Sequence, residues 1–430
     1  MNVVLINHSD SQGGAAIVSL RLIHALLRAG ITARMLVIDR QDLDVYAQPM
    51  GSRVANRWRF LAERLGIFLQ NGRRRDTLFQ IDTCSQGYNV SRHPWVKQAD
   101  VVMLAWVNQA TLSLKGIEKI GTKLHKPLVW VMHDMWNCTG VCHYAFDCDR
   151  FTGTCQDCPL LPGKGRDLST HTQQRKARLY GRVPITFVAV SHWLQGECRK
   201  SSLMRDQDVR VIYNAFPIHE FDYHRLPDDD GFLGLPAGKK VVIMGARRLD
   251  VAVKGFKELI ETTQYISQHR PELASKLHLL LYGDIADQSL LQQIAIPCTW
   301  AGTVQGSEAL SQLYRHADIL LSTALYENLP GTLIEGQASG CIPVTFGRGG
   351  QADIVDHMSS GYIAAYQSPE SVADGLEWAA TQPVSREFLH QEVARKFDAD
   401  AIARQFIALF NEITPQLHNS TTSQLHNSIT

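Results

Sequence analysis

The sequence predicts an α/β protein of two domains, each built on a parallel sheet with helices on both faces. Short β-branched runs alternate with segments of helical periodicity, and this alternation occurs in two series, over residues 3–190 and 241–346. Such alternation is typical of parallel sheets, because a parallel connection needs a crossover that a helix usually supplies. The length of 430 residues also exceeds one hydrophobic core and fits two to three domains at roughly 150 residues each.

The first series begins at residues 3–6, a β-branched run followed by a polar loop and by apolar residues at helical spacing over 17–27. Further strands are predicted at residues 33–38, 101–106, 128–132 and 186–190, each next to a segment with helical spacing. We therefore assign residues 1–212 to an N-terminal domain.

The second series follows the polar, proline-containing stretch 228–238. Its strands are predicted at residues 241–244, 277–282, 319–322 and 342–346, and its helices at residues 256–269 and 308–316. We assign residues 213–390 to this second domain and expect a C-terminal helix over 391–414 to pack back across the cleft between the domains. The tail 415–430 repeats the letters QLHNS with little apolar content, which predicts disorder.

Composition and charge exclude several classes of protein. Hydrophobic residues make up 45% and charged residues 20%, which is typical of a globular protein. The 43 basic and 42 acidic residues nearly cancel, so no global field would attract nucleic acid. The longest apolar run, residues 101–107, is far shorter than the ~20 residues of a membrane-spanning helix, and the N-terminus lacks the basic start of a signal peptide. We expect a cytoplasmic protein that binds no nucleic acid.

The most specific motif contains two carboxylates, Glu327 and Glu335, which follow the predicted strand 319–322. After the first glutamate, Asn328, Pro330 and Gly331 predict a turn, and a helix should begin at Gly331 or Thr332. The N-terminus of a helix attracts phosphate through its unpaired N–H groups and its dipole, and a nearby carboxylate can accept hydrogen bonds from sugar hydroxyls. Taken alone, the pair favours two ordinary acidic residues near a helix start, because such residues are common there.

Basic residues and glycines follow other strands of the second series. Arg247 and Arg248 end its first strand, and Lys254 precedes the next helix. Cations at a strand-to-helix junction suit a diphosphate, because Arg can bind phosphate in bidentate fashion and Lys acts as a point charge. Gly283 and residues 347–351, Gly-Arg-Gly-Gly-Gln, end two further strands, where glycine lets a ligand approach the backbone closely.

With these motifs, the sequence resembles family 4 of the retaining GT-B glycosyltransferases over nearly the whole chain. It is similar in particular to the colanic acid and exopolysaccharide glycosyltransferases. The matching motifs of the first domain are Gly13-Gly14 and residues 130–134 (WVMHD), 189–191 (AVS) and 211–214 (VIYN). In the second domain they are Gly302, Leu313-Tyr314, Ala317-Asp318, the two-glutamate motif and Gly349-Gly350.

The resemblance implies a GT-B fold, in which two Rossmann-like domains face a central cleft. The second domain would bind a nucleotide sugar, the first would bind the acceptor, and transfer would retain the anomeric configuration without a catalytic metal. Glu335 would hold the ribose, and Glu327 would lie near the donor sugar. The residues implied in catalysis are His133, Glu327, Arg248 and Lys254. Those implied in donor binding are Gly13, Gly14, Arg247, Gly283, Asn328, Leu329, Pro330, Gly331 and Glu335.

The chain departs from the family pattern at two places. The sequence Ala-Arg-Arg-Leu over 246–249 replaces the commoner Gly-Arg-Leu, which leaves open whether Arg247 or Arg248 binds the diphosphate. Gly336 and Gln337 stand where the family usually has Ala-Met after the second glutamate. The glycine weakens the helix slightly but removes no reacting group.

His133 directly follows the predicted strand 128–132, so it should emerge at the carboxyl end of that strand and face the cleft. A lone histidine is more often structural, but the strand-end position and the resemblance together favour a contact with the donor sugar. Gly13 and Gly14 lack the G-x-G-x-x-G spacing of a dinucleotide site. This argues against a NAD-dependent oxidoreductase.

Five of the nine cysteines fall between Cys138 and Cys158. Four of them have the spacing C-x5-C-x6-C-x2-C and are candidate ligands of a structural zinc ion: Cys142, Cys148, Cys155 and Cys158. The first pair is more widely spaced than in most zinc sites, so free thiols or an oxidised loop remain alternatives. The loop follows His133 and should line the acceptor side of the cleft.

Segment 53–75 is strongly basic, with seven arginines against the single acidic residue Glu63, and apolar residues are interleaved. A basic amphipathic segment can lie on anionic lipid. The alternative is an ordinary helix that packs its apolar side on its own domain.

These observations predict a glycosyltransferase that moves a sugar from a nucleotide-sugar donor to a glycan or lipid-linked glycan acceptor with retention, in surface polysaccharide biosynthesis. No cofactor is expected for catalysis. The alternative is a non-catalytic GT-B scaffold that binds sugar or a partner enzyme. Peripheral contact with the inner face of the membrane is expected through residues 53–75.

Overall fold

The computed structural model describes residues 1–41, 45–163, 165–226 and 232–414. The chain forms two compact units. The first unit contains Met1–Ala215 together with the chain from Ala399, and the second contains Phe216–Asp398. Each unit is built around its own parallel sheet.

The first unit has a seven-stranded sheet in the order β3-β2-β1-β4-β5-β6-β7, and every pair of neighbouring strands is parallel. The strands are β1 (Asn2–Ile6), β2 (Thr32–Val37), β3 (Ala47–Pro49), β4 (Val101–Leu104), β5 (Leu128–Met132), β6 (Ile185–Ala189) and β7 (Val209–Val211). The central strands β4 and β5 are buried along their whole length. Such continuous apolar runs are typical of a parallel sheet covered by helices on both faces.

Among the described residues of this unit, six helices connect the strands: α1 (Gly14–Arg28), α2 (Arg53–Gln70), α3 (Pro94–Gln98), α4 (Leu114–Leu124), α5 (Leu168–Arg182) and α6 (His192–Lys200). Side-chain caps fix several helix starts. Ser52 accepts a hydrogen bond from the Ala55 amide at the start of α2, and Asp167 forms a capping box with Thr170 at the start of α5.

The second unit has a six-stranded sheet in the order β10-β9-β8-β11-β12-β13, again with parallel neighbours. The strands are β8 (Lys240–Arg248), β9 (Leu277–Asp284), β10 (Cys298–Trp300), β11 (Ile319–Ser322), β12 (Ile342–Phe346) and β13 (Tyr362–Ala364). The helices are α7 (Phe256–His269), α8 (Pro271–Lys276), α9 (Ser307–His316), α10 (Gly331–Ala338), α11 (Pro369–Thr381) and α12 (Arg386–Phe397). In both sheets the chain winds outward from a central strand in two directions, which is the Rossmann-like arrangement.

The C-terminal segment differs from the single helix expected over 391–414. It forms two helices, α12 and α13 (Ala399–Ile413), because Asp398 has an extended ψ of 130° that ends the first. Helix α13 belongs to the first unit, where it packs against α1. Arg28 and Asp400 form an ion pair at 2.7 Å between these two helices. The predicted tail 415–430 lies outside the described residues.

Within the described ranges, no helix combines the length and the apolar composition needed to cross a bilayer.

Candidate active site

The carboxyl ends of the parallel strands in the second unit meet along one edge of the sheet. The adjacent strands β8, β11 and β12 lie at the centre of this sheet. The loops after them contain Lys254, Glu327 and Gly349, which are separated widely in the sequence. In open α/β sheets this edge is where ligands bind.

Lys254 and Glu327 form an ion pair at this edge, in which the Lys254 Nζ donates to the Glu327 Oε1. Lys254 ends a short 3-10 turn before α7, and Glu327 follows β11. The side chains are 35% and 18% exposed, so both remain accessible to a ligand. A lysine ammonium has three donors, and a phosphate group can bind through the two that Glu327 does not use.

Two glycines hold the backbone around this pair. Gly255 has a φ of +73°, and a Cβ there would lie 1.8 Å from the carbonyl oxygen of Thr323. Gly349 has a φ of +102°, and a Cβ there would lie 2.1 Å from the carbonyl oxygen of Glu327. Any side chain would push these loops apart, so the close approach of Lys254 to Glu327 depends on both glycines.

Gly283 has a structural reason to be glycine. Its φ is +121°, and a Cβ there would lie 1.9 Å from the carbonyl oxygen of Ala246. The Gly283 amide donates to the carbonyl of Gly302 at 2.7 Å. This glycine therefore lets the end of β9 lie against the end of β8, next to the two predicted arginines.

The two arginines differ in the contacts described for them. Arg248 Nε donates to the Asp250 Oδ1 at 2.7 Å, and Asp250 also accepts from the Ala286 amide at 2.9 Å. Arg247 and Arg248 are both exposed. Because its charge is paired with a carboxylate two residues away, Arg248 would have to share or leave this partner to bind a diphosphate.

Helix α10 begins at the turn that the two-glutamate motif predicts. Pro330 stands at the N-cap and offers no side-chain acceptor to the amides of the first turn. Asn328 and Leu329 are buried beside it, and Glu335 is buried in the second turn. The Tyr282 and Tyr314 hydroxyls lie 2.6 Å apart. Burial, with a smaller contribution from the Glu335 charge, raises the pKa of Tyr282 above its usual range.

The glycine that departs from the family pattern has a packing explanation. A Cβ at Gly336 would lie 2.5 Å from the Leu320 Cδ2 and 3.3 Å from the Tyr314 Cε1. Helix α10 thus lies closer to β11 than an alanine would allow. The small loss of helix propensity is the cost of this contact.

Sequence reasoning assigned no role to Arg348, which follows β12. Its guanidinium lies over two tyrosine rings, 5.4 Å from the Tyr326 centroid and 4.7 Å from the Tyr366 centroid. Stacking on both rings positions a further cation at the strand ends. The glycines on either side, at 347 and 349, were the available signal for a functional loop.

His133, Gly13 and Gly14 belong to the first unit. His133 follows β5 and lines a cavity of about 270 Å³ with Ser19, Asn214 and mainly apolar side chains. Its Nε2 is buried without a hydrogen-bond partner among the described residues, and burial lowers the pKa of His133 to about 4. His133 is therefore neutral at physiological pH. Gly13 is the N-cap of α1, and its carbonyl accepts from the Ala16 amide at 3.1 Å.

A polar cluster next to His133 was not predicted. Asp134 accepts hydrogen bonds from the His143 Nδ1 at 2.7 Å, the Trp106 Nε1 at 3.0 Å and the Trp136 amide at 2.8 Å. Burial alone would lower the pKa of His143, but the Asp134 charge and hydrogen bond raise it overall. The Trp106 ring also contacts His8, with centroids 5.6 Å apart. These residues follow β1, β4 and β5, so the strand-end rule could have found them.

The four candidate zinc ligands line one cavity of about 300 Å³: Cys142, Cys148, Cys155 and Cys158. Burial raises the pKa of Cys142 to about 12 and that of Cys155 to about 11. Within the part of the chain that the structure describes, no three His, Cys, Asp or Glu side chains are arranged to hold a metal ion. The zinc site stays a prediction.

Residues 227–397, most of the second unit, match the family model of Glycosyl transferases group 1. The chain is 24% identical over 235 residues to an uncharacterised glycosyltransferase of Methanocaldococcus jannaschii, covering 52% of this chain and 59% of that relative. It is 27% identical over 168 residues to the putative colanic acid biosynthesis glycosyl transferase WcaC of Escherichia coli, covering 37% of this chain and 40% of WcaC. The matches thus span less than two thirds of these curated relatives.

Solved structures share the fold along nearly the whole chain. The Anabaena protein HepE in complex with UDP has a TM-score of 0.64 at 16% identity, covering 96% of this chain and 100% of HepE. WaaG, a glycosyltransferase involved in lipopolysaccharide biosynthesis, has a TM-score of 0.60 at 15% identity, covering 96% of this chain and 99% of WaaG. With its two Rossmann-like sheets, this chain has the GT-B fold of these glycosyltransferases, and residues 227–397 of its second unit are similar to the group 1 glycosyltransferases.

Proposed function

We propose that this protein transfers a sugar from a nucleotide-sugar donor to a glycan or lipid-linked glycan acceptor, with retention of configuration, in surface polysaccharide biosynthesis. The observation that carries the proposal is the Lys254–Glu327 pair at the strand ends of the second unit, held by Gly255 and Gly349. The match of this unit to group 1 glycosyltransferases supports the same activity.

The donor side of the reaction rests on the second unit. Lys254, with Arg247 or Arg248, would neutralise the diphosphate as the bond between sugar and phosphate breaks. The amides at the start of α10, which no side chain caps, would bind phosphate oxygens, and Glu335 would accept hydrogen bonds from the ribose. The acceptor hydroxyl gains the sugar, and the nucleoside diphosphate and a proton are released.

The nucleotide is proposed to be UDP. HepE, which shares the fold, was crystallised with UDP and with UDP-glucose. The role in polysaccharide assembly is supported by WcaC, whose putative function is colanic acid biosynthesis. A lipid-linked acceptor would require peripheral contact of this protein with the inner face of the membrane.

The proposal is tested with the full chain and two probes, UDP and UDP-glucose. A ligand that binds only the native state stabilises it by ~2.7 kcal/mol at ~100 times its Kd, which shifts thermal unfolding measurably. UDP release from UDP-glucose in the presence of glycan acceptors is then measured, and NMR gives the anomeric configuration of the product. Stabilisation without turnover would favour the non-catalytic scaffold, and the absence of any stabilisation would contradict the donor site.

A structural zinc ion in the cysteine loop is also proposed. Four thiols line one cavity, although tetrahedral coordination would require the side chains to rotate toward a common point. Elemental analysis of protein grown with zinc should find about one Zn²⁺ per chain. Cys155→Ser should lower this content, and Cys298→Ser, in the second unit, should not. Metal-free protein after growth with zinc would contradict the site.

A further inference from the structure

Helix α2 of the first unit buries charged side chains and exposes apolar ones, which is the reverse of an ordinary surface helix. A surface helix normally buries its apolar residues and exposes its charged ones. In α2 the buried residues are Asn56, Glu63, Arg64 and Ile67. Three of the four residues buried against the unit are therefore polar or charged, and five large apolar side chains lie on the exposed face.

These apolar side chains form a continuous stripe. Five of them are 45% to 69% exposed: Val54, Trp58, Leu61, Leu65 and Leu69. Their spacings of three or four residues place them on one side of a helix with 3.6 residues per turn. We call these five residues the apolar stripe. For these five residues it contradicts the alternative that α2 packs its apolar side on its own domain, whereas Ile67 does pack there.

Buried polar contacts fix this orientation. Arg64 donates to the Asp82 Oδ2 at 2.7 Å and to the Leu78 carbonyl at 2.8 Å. Glu63 accepts from the Thr83 hydroxyl at 3.1 Å. Rolling α2 to bury the apolar stripe would break a buried ion pair and its hydrogen bonds, which is strongly unfavourable. The exposure of the stripe is thus built into the fold of this unit.

The surroundings of the stripe are positively charged. The exposed arginines of the segment are Arg53, Arg57, Arg73, Arg74 and Arg75. Its single acidic residue, Glu63, is buried against Arg64. Arg74 is paired with Asp76 at 2.7 Å. The rim of the stripe therefore favours a negatively charged partner.

We propose that α2 binds the surface of an anionic lipid bilayer, with the apolar stripe inserted at the boundary of the headgroups and the arginines at lipid phosphates. A helix of 18 residues is about 27 Å long and can lie flat in the interface. Apolar burial and electrostatic attraction then act together. The residues of this surface belong to the first unit, and the proposal does not depend on the proposed transfer reaction.

The charge argues against a second copy of this chain as the occupant. A two-fold dimer brings the same patch of both copies together, so the arginines of one α2 would face those of the other. Like charges held close in this way repel. An anionic bilayer instead complements the rim.

The test is flotation of the full chain with vesicles of phosphatidylcholine alone or mixed with phosphatidylglycerol. Wild-type protein should bind the anionic vesicles more tightly, and added salt should weaken binding. The triple variant Trp58→Ser, Leu61→Ser, Leu65→Ser should lose about tenfold or more in partitioning, because its insertion energy is removed. Since these side chains are exposed, thermal unfolding and stabilisation by UDP should be unchanged, which separates this test from that of the donor site.

Two controls sharpen the result. Met358→Ser with Phe388→Ser removes exposed apolar side chains from the second unit and should bind vesicles as wild type does. Trp58→Phe should also bind normally, but it should lose the fluorescence quenching that brominated lipids cause in wild type. Equal binding of the wild type and the triple variant, or wild-type quenching in Trp58→Phe, would overturn the proposal. A wild-type dimer that the triple variant abolishes, without vesicle binding, would identify a second copy instead.

Discussion

The two sheets carry different chemistry where their strands end. In the second unit these positions hold the cations Arg247, Arg248, Lys254 and Arg348. In the first unit they hold His8, Trp106, His133, Asp134 and the Asp134 partner His143. Fixed cations suit a diphosphate, whereas imidazole and indole groups suit a neutral, hydroxyl-rich ligand. The contrast supports the proposed donor site in the second unit and the proposed acceptor site in the first.

The loops at the strand ends of the two units are also held in place differently. In the second unit, the backbones of separate loops approach so closely that only Gly255 and Gly349 fit. In the first unit, one buried carboxylate, Asp134, collects three hydrogen bonds. Substitutions at the strand ends of the second unit should therefore act through charge. Substitutions at the strand ends of the first unit should act through packing and hydrogen bonding.

The largest effect is expected from the arginine that binds the leaving diphosphate. If one of Arg247 and Arg248 stabilises its developing charge, the alanine variant of that residue should lose ~10²–10³ in turnover. The alanine variant of the other should lose little. Steady-state UDP release from the two single variants decides between them, and two mild phenotypes would exclude both arginines from this role.

A smaller loss is expected at the two positions that bind the donor by charge-assisted contacts. Lys254→Ala and Glu335→Gln should each weaken donor binding by ~1.5–3 kcal/mol, or about tenfold to 150-fold. Isothermal titration with UDP measures this loss. The matched control is Lys257→Ala, an exposed lysine paired with Glu261 on the same helix. Wild-type affinity in both site variants would contradict the assignment of these residues.

The strand pattern of both sheets could be predicted where the strands are buried. The nine predicted strands correspond to β1, β2, β4, β5, β6, β8, β9, β11 and β12. The four strands that were missed, β3, β7, β10 and β13, are the outermost strands of the two sheets and have three residues each. Edge strands are short and partly exposed, so they carry neither a long apolar run nor a clear alternation.

Helix α2 shows a different limit of sequence analysis. Periodicity predicts that α2 has an apolar face, but not whether that face points inward. The direction is set by contacts with Asp82 and Thr83, outside the helix. In the same way, the motifs predict Lys254 and Glu327 at strand ends, but their pairing depends on loops that are 73 residues apart.

A smaller effect again is expected at the strand ends of the first unit. Trp106→Ala removes the hydrogen bond to Asp134 and the ring contacts with His8 and His143. The KM for the acceptor should rise about tenfold, since one hydrogen bond and two ring contacts are lost. The stabilisation by UDP should not change. Trp106→Phe keeps a ring and should lose less. A loss of UDP binding in Trp106→Ala would contradict the assignment of the donor to the second unit and of the acceptor to the first.

The smallest expected effect concerns His133 and His143 at the strand ends of the first unit. Their contributions to the free energy of unfolding change with pH in opposite directions. The folded pKa of His133, about 4, lies below its ordinary value of 6.5. Between these values the unfolded chain binds the proton and the folded chain does not, so stability from His133 is present above pH 6.5 and is lost as the pH falls. The pKa of His143 is raised, so its contribution is present below its ordinary value and is lost as the pH rises through the folded value.

Urea unfolding from neutral to acidic pH tests this difference. By about pH 5.5, wild type should lose about 1 kcal/mol of unfolding free energy through His133, and His133→Asn should not lose this part. His143→Asn should instead cost most stability at acidic pH, where the histidine is charged against Asp134, and least at alkaline pH. The difference between each variant and wild type isolates one histidine from all other titrating groups. Parallel pH curves for wild type and His133→Asn would mean that this imidazole is solvated rather than held neutral in its cavity.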